Sequence, residues 1–244
     1  MNSIEKEWHK LLNEILKEGR MNKKDDSNVL EILGYNTFVE CPMDNIFSIP
    51  DDIDHFLKFI ESGWFNVKGY PMNNQGILEY LEGLHDEKII KCDEREDGFV
   101  YSYPERLLSM RIWDVDTNDF KRIDQFQVII DRLNQNPGTN RAVAHFYNCG
   151  LDRNKVDIPC LQFLQATIRG NELVLHVIFR SNDIYGAWPA NMFFITYIGL
   201  MIKDVMSEKI PDLVFTGIDY HVSSAHIYET DVEKARGVLN GSSK

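Results

Sequence analysis

Ile4, Trp8, Leu11, Leu12 and Ile15 recur at three- and four-residue spacing, so the chain opens with an amphipathic helix. The next stretch, 19–26, is polar and starts with Gly19; it reads as a loop. Two short strands broken at Gly34 are expected across 29–40. Residues 51–62 carry Ile53, Phe56, Leu57 and Ile60 on one helical face, and 73–84 form a weaker helical pattern. Residues 86–98 are dense in charge and read as a solvated excursion.

The second half is more regular. Phe126, Ile129, Ile130 and Leu133 mark a helix over 124–134, stopped by Asn136-Pro137-Gly138. Strands are expected over 142–147, 161–168 and 173–179, with Gly170-Asn171 turning the last pair. Residues 191–205 are apolar nearly all round, the pattern of a buried central helix. A strand over 212–222 and a short helix over 230–239 complete the chain. With no linker, repeat or low-complexity block, the pattern predicts one α+β domain over 1–244.

Composition narrows the function. With 38 acidic against 26 basic residues the net charge is −12. Such a chain is a poor binder of nucleic acid, and no DNA partner is expected. A small anion needs only a few arginines in one pocket. No apolar run is long enough to span a bilayer, and the N-terminal residues lack a signal-peptide profile, so a cytoplasmic location without a membrane partner is expected. Cys41, Cys92, Cys149 and Cys160 form no Cys-x-x-Cys pair, so neither a metal site nor disulfides are expected.

Candidate chemistry centres on Pro159-Cys160 and Arg180-Ser181-Asn182-Asp183. If the strands after Cys160 and before Arg180 pair as a hairpin, a guanidinium lies beside a thiol and favours the thiolate, the nucleophilic form. A buried structural cysteine near a surface arginine would give the same spacing. Cys149, before Gly150, reads as structural. Arg141, Arg180 and Ser181 suit a phosphate; surface salt bridges would suit the arginines equally. Asn191 sits near a helix start, either as an N-cap or as an amide that reads a planar heterocycle. His226 and Tyr228 share one face of an extended segment, which suits a sugar hydroxyl or a half-buried core.

The order of these blocks carries a resemblance. Asp124-Gln125, Asn136-Pro137-Gly138-Thr139-Asn140-Arg141, Pro159-Cys160-Leu161-Gln162-Phe163, Phe179-Arg180-Ser181-Asn182-Asp183, Trp188-Pro189-Ala190-Asn191 and Ala225-His226-Ile227-Tyr228 occur in sequence. Together they resemble the thymidylate synthase and pyrimidine hydroxymethylase superfamily, nearest its archaeal-type synthases. The match runs from about Tyr101 onward, with Leu30-Glu31-Ile32-Leu33-Gly34 as the main earlier anchor.

The resemblance implies a mixed β-sheet packed by helices and a homodimer through that sheet. It implies that Cys160 attacks C6 of a pyrimidine nucleoside monophosphate, and that Arg180 activates the thiolate and touches the phosphate. Ser181 and Arg141 would hold that phosphate, Arg141 reaching across from the partner subunit, with Lys24 near another phosphate position. Asn191 would read the base, His226 and Tyr228 the ribose 3′-hydroxyl. Asp183 would support base or cofactor, and Tyr103 matches an active-site tyrosine. The implied carrier is 5,10-methylenetetrahydrofolate or a methanopterin analogue, and the implied product is dTMP from dUMP.

The chain departs from the family pattern at several places. Leu161 stands where histidine is usual, and Asn140 where a second arginine is usual. The family's early glutamate has no match, with Asp54, His55 and Phe56 near its place. The final Gly241-Ser242-Ser243-Lys244 does not resemble the family's hydrophobic closing tail. A dUMP or (d)CMP 5-hydroxymethylase and a catalytically idle nucleotide- or RNA-binding homologue are therefore the rival expectations. Asparagine at 191 favours uracil, since cytosine-directed relatives tend to carry aspartate there.

Overall fold

The computed structural model describes residues 3–40, 101 and 103–240. The helices expected over 51–62 and 73–84 and the charged stretch 86–98 lie outside them. Chain order is helix α1 (Ser3–Glu18), strands β1 (Arg20–Lys24) and β2 (Ser27–Glu40), helix α2 (Tyr103–Leu108), the hairpin β3 (Met110–Asp114) and β4 (Asp119–Ile123), and helix α3 (Gln125–Gln135). There follow β5 (Val143–His145), α4 (Cys149–Asp152), β6 (Leu161–Arg169), β7 (Glu172–Phe179), β8 (Asn182–Asp183), α5 (Trp188–Met206), β9 (Val214–Tyr228) and α6 (Val232–Leu239).

One mixed sheet runs in the order β1-β2-β9-β7-β6-β5, with β8 also paired to β9. The β7–β9 and β8–β9 pairings are parallel; the rest of this sheet is antiparallel. A parallel neighbour requires a crossover, and α5 supplies it between β7 and β9. The helix is buried on almost every side, as its unbroken apolar run requires. Gly199 lets it lie against the sheet, since a Cβ there would fall 2.4 Å from the Phe215 ring.

Three expectations are corrected. The polar stretch after Gly19 is the strand β1, because each of its residues finds a register partner on β2. Polarity here reflects a sheet edge exposed on both faces. The two strands expected across 29–40 are one, β2, which passes through Gly34 at φ +68° without a change of register to β9. The last strand extends six residues past Val222 to Tyr228, so His226 and Tyr228 sit on a ladder and not beyond it.

The two faces of the sheet differ. Thr37, Tyr220, Val177, Leu164 and Ala144 line up across neighbouring strands on the core side. The next row, Phe38, Asp219, His176, Gln165 and Val143, points the other way and is only partly covered. That open face exposes Phe38 and Ile178 and carries an Asp219 carboxylate between His176 and His221.

Two polar ties fix the elements under the site. Trp8 on α1 donates its indole N–H to the Ile184 carbonyl at 2.6 Å, just after β8. The buried Arg106 of α2 pairs with the buried Asp152 of α4 at 2.7 Å. Removing one member of such a pair strands a buried charge. The Gln125 side chain bridges Arg106 and His145 through both backbone groups of His145.

Candidate active site

The hairpin expected between Cys160 and Arg180 forms. Leu161 pairs with Phe179, and the Arg180 backbone N–H donates to the Cys160 carbonyl at 2.8 Å. The half-buried Cys160 thiol lies 3.7 Å from the Ser181 hydroxyl.

Arg180 has a role that spacing did not announce. Its Nε donates to the Pro159 carbonyl at 3.1 Å and its Nη2 to the Ile158 carbonyl at 2.7 Å. Its Nη1 donates to Ser181 Oγ at 3.2 Å. The guanidinium thus latches the segment that presents the thiol. Tyr101 donates its hydroxyl to the Ile158 carbonyl at 3.3 Å, and Gln162 donates its amide to the Pro159 carbonyl. On the other side, the buried Tyr103 hydroxyl accepts the Leu161 N–H at 3.1 Å. Burial holds both phenols well above the usual tyrosine range, so they remain neutral.

Lys24 joins this group from β1. Its Nζ lies 2.9 Å from His226 Nε2 and 5.8 Å from the centre of the Tyr228 ring. Burial pushes the ammonium below its usual range, and it lies within the fields of Cys160, Arg180 and Asp183. Burial and then Lys24 push His226 down to about 4, so its ring is neutral near pH 7. A neutral ring that accepts at Nε2 from an ammonium carries its proton on Nδ1, which faces the Ser224 carbonyl at 3.3 Å. His226 and Tyr228 meet edge to face, with centroids 5.3 Å apart.

Asp183 is set beside His226 by the parallel β8–β9 pairing. Its Oδ1 accepts the N–H groups of Tyr185 and Gly186, both at 3.1 Å. Burial nevertheless raises its pKa to about 6, the two N–H bonds opposing the rise. A larger residue at 186 would displace this carboxylate, since a Cβ there would fall 2.5 Å from Asp183 Oδ2.

The helix that carries Asn191 begins three residues earlier than its apolar run suggested. Ala187 takes the N-cap position and Asn191 lies inside the first turn, so the N-cap reading fails. Its side chain is 3% exposed. Nδ2 donates to Asn182 Oδ1 at 3.0 Å, and Asn182 Nδ2 donates to the buried Tyr220 hydroxyl at 3.0 Å. Asn191 Oδ1 is buried and makes no hydrogen bond among the described residues.

The structure therefore brings together Cys160, Arg180, Ser181, Lys24, Asp183, His226, Tyr228 and Tyr103. Arg141 stands apart: it is exposed, just before β5, on the sheet edge opposite β1. Asp54, His55, Phe56, Cys41, Cys92 and residues 241–244 lie outside the described residues. Cys149 is exposed at the start of α4. Among the described residues no helix is long and apolar enough to cross a membrane. Asn182 and Tyr220 escaped sequence reasoning. The available signal was Tyr220 itself, a polar tip in the inward row Ile218-Tyr220-Val222.

Residues 87–242 match the family model described as thymidylate synthase. Archaeal relatives are named "Putative thymidylate synthase". The protein from Methanosarcina barkeri is 26% identical over 240 residues, covering 98% of this chain and 93% of its own. That from Methanocaldococcus jannaschii is 27% identical over 232 residues, covering 93% and 88%. That from Methanopyrus kandleri is 25% identical over 231 residues, covering 94% and 92%. With well over half of its length matched by the family model, the chain belongs to the thymidylate synthase family.

Proposed function

We propose that the protein makes dTMP from dUMP through a covalent bond between Cys160 and C6 of the uracil ring. The observation that carries this reading is the convergence of the Cys160 thiol, the Ser181 hydroxyl and the Lys24–Arg180 cations; the unmet acceptor of Asn191, which is tied to Asn182 next to Ser181, supports it. Lys24, Arg180 and Ser181 bind the phosphate; as the Lys24 ammonium turns to it, His226 Nε2 is freed to accept from the ribose 3′-hydroxyl, beside Tyr228.

C5 of uracil is a weak nucleophile. When the Cys160 sulfur bonds to C6, the ring electrons move to C5 and O4, and the O4 charge needs a donor. The second N–H of Asn191 Nδ2 supplies one, while Oδ1 accepts from N3–H. The one-carbon unit would join C5 as its bond to the carrier breaks, the C5 proton would pass to water, and the C6–S bond would then break to return the thiolate.

A folate- or methanopterin-type carrier supplies the one-carbon unit and, for a methyl product, the hydride. The residues present fit a reduced pterin. Asp183 keeps Oδ2 clear of its two backbone N–H bonds, and a carboxylate oxygen matches the N–H donors of such a ring. Asp183 would hold it there.

The active form is a homodimer in which the open sheet faces meet and Arg141 completes the phosphate site of the partner. The exposed Phe38 and Ile178 on that face support this. Mixing Arg141→Ala with Cys160→Ala protein is expected to restore activity in heterodimers; failure would mean that each site is self-contained.

The deciding experiment gives the protein dUMP with each carrier and weighs the product. A methyl product bears out the proposal, and a hydroxymethyl product replaces it with the hydroxymethylase. With 5-fluoro-dUMP and a carrier, a covalent adduct at Cys160 is expected. Intact nucleotide binding with no adduct would make the protein an idle homologue.

A further inference from the structure

A chain of buried amides stands behind Asn191. Tyr220 lies in the middle of β9, fully buried, with its ring edge-on to Trp188 at 6.2 Å between centroids. Burial keeps its phenol well above the usual range, so the hydroxyl is neutral. It accepts from Asn182 Nδ2, whose Oδ1 accepts in turn from Asn191 Nδ2. Asn182 is 1% exposed and Asn191 3%. Each amide is therefore committed in one direction, and the unmet group at the end of the chain is an acceptor, Asn191 Oδ1.

We infer that Tyr220 and Asn182 are positioning residues that fix which way round Asn191 offers its amide, and so select uracil over cytosine. The inference rests on the proposed role of Asn191 in reading the base. Uracil presents an N3–H donor beside an O4 acceptor; cytosine presents an N3 acceptor beside an N4–H donor. Asn191 in its present orientation suits uracil, with Oδ1 for N3–H and the second Nδ2 hydrogen for O4. To suit cytosine the amide must turn over. Its oxygen would then face Asn182 Oδ1, two buried acceptors in contact, unless Asn182 turned as well. Turning Asn182 places its oxygen against Tyr220, which must then donate where it now accepts. Reversal therefore needs Asn191, Asn182 and the Tyr220 hydroxyl to turn together, because any one that stays behind leaves two buried acceptors, or two donors, facing each other.

Base choice is thereby shared by three strand and helix positions. It also explains why polar side chains occupy core positions at 182 and 220, with neither touching solvent.

The test compares dissociation constants for dUMP and dCMP, with no carrier and no turnover. Wild type is expected to prefer dUMP. Tyr220→Phe removes the acceptor that commits Asn182, so Asn182 turns its NH2 toward Asn191 Oδ1; the preference should fall roughly tenfold, the worth of about one hydrogen bond. Asn182→Asp keeps an acceptor for Asn191 Nδ2 and lets Tyr220 donate to the second oxygen; it should retain the wild-type preference. Asn182→Leu, which can do neither, should lose it, and carries the test if Tyr220→Phe does not fold. A preference unchanged within about twofold in both Tyr220→Phe and Asn182→Leu, or lost in Asn182→Asp, overturns the inference. Wild type that binds neither nucleotide overturns the proposed function itself.

Discussion

Arg180-Ser181 and Asn182 are neighbours in the chain, yet they serve environments of opposite kind. Arg180 and Ser181 face a half-open site with the Cys160 thiol and the Lys24 ammonium. Asn182 turns into the core, where its side chain hydrogen-bonds with Tyr220 and Asn191. The open side uses full charges, and it ties Arg180 down with backbone carbonyls. The closed side uses neutral amides, each committed in direction. Where water reaches, charge is cheap to hold but poorly selective; where it does not, a neutral donor or acceptor discriminates, because a mismatch there has no solvent to fall back on.

The largest break in this contrast is expected at the thiol. Cys160→Ser should lower kcat by on the order of 10^4 or more, because the hydroxyl is a far weaker nucleophile, while dUMP affinity stays within about threefold. Single-turnover kinetics beside equilibrium binding checks both halves, and substantial residual turnover would remove Cys160 from the mechanism.

Next comes the latch. Arg180→Lys should weaken dUMP binding by roughly 100-fold although the charge is kept, since an ammonium cannot reach the Ile158 and Pro159 carbonyls and Ser181 together. Rescue of affinity by lysine would show that only the charge matters.

A salt series sharpens the comparison further. The wild-type dUMP affinity should fall several-fold between 0.05 and 0.5 M NaCl, on the order of what screening of phosphate contacts gives. The dUMP-to-dCMP ratio should not move, because both nucleotides carry the same phosphate and differ only at the base, whose proposed partners are neutral amides. A ratio that tracks salt would mean that charge takes part in reading the base.

A further effect, on stability and not on binding, concerns Asp183. Its folded pKa of about 6 lies above the ordinary 3.8, so the native state holds the proton more tightly than the unfolded chain does. Stability contributed by the protonated carboxyl is present at low pH and lost as pH rises from about 4 through about 6. Asp183→Asn removes this loss. It should therefore gain on wild type by roughly 2 kcal/mol between pH 4 and pH 7.5 in thermal or urea unfolding. A gain of the opposite sign would mean that the carboxylate is stabilised by its N–H donors more than burial disfavours it.

Much of this was legible in sequence wherever one local signal sufficed. The helix behind Asp124, the turn at Gly170 and the Cys160–Arg180 hairpin follow from caps, glycine and alternation. The strand β1 was not, because an edge strand open on both faces has no apolar alternation to show. The start of α5 was misjudged because Pro189 reads as a breaker, whereas proline in a first helical turn sacrifices no hydrogen bond. Lys24 meeting His226 and Tyr220 meeting Asn182 depend on pairings between distant strands, which no local window contains.

The fifteen-residue strand β9 holds antiparallel register with β2 and parallel register with β7 and β8, while contributing Tyr220, His226 and Tyr228 along its length. An inserted or deleted residue between 220 and 226 would turn His226 and Tyr228 to the opposite face of the sheet while leaving the amide chain where it is. Enzymes whose sites hang on loops can change length as they diversify; along this strand, descent with a new substrate is confined to substitution at fixed length.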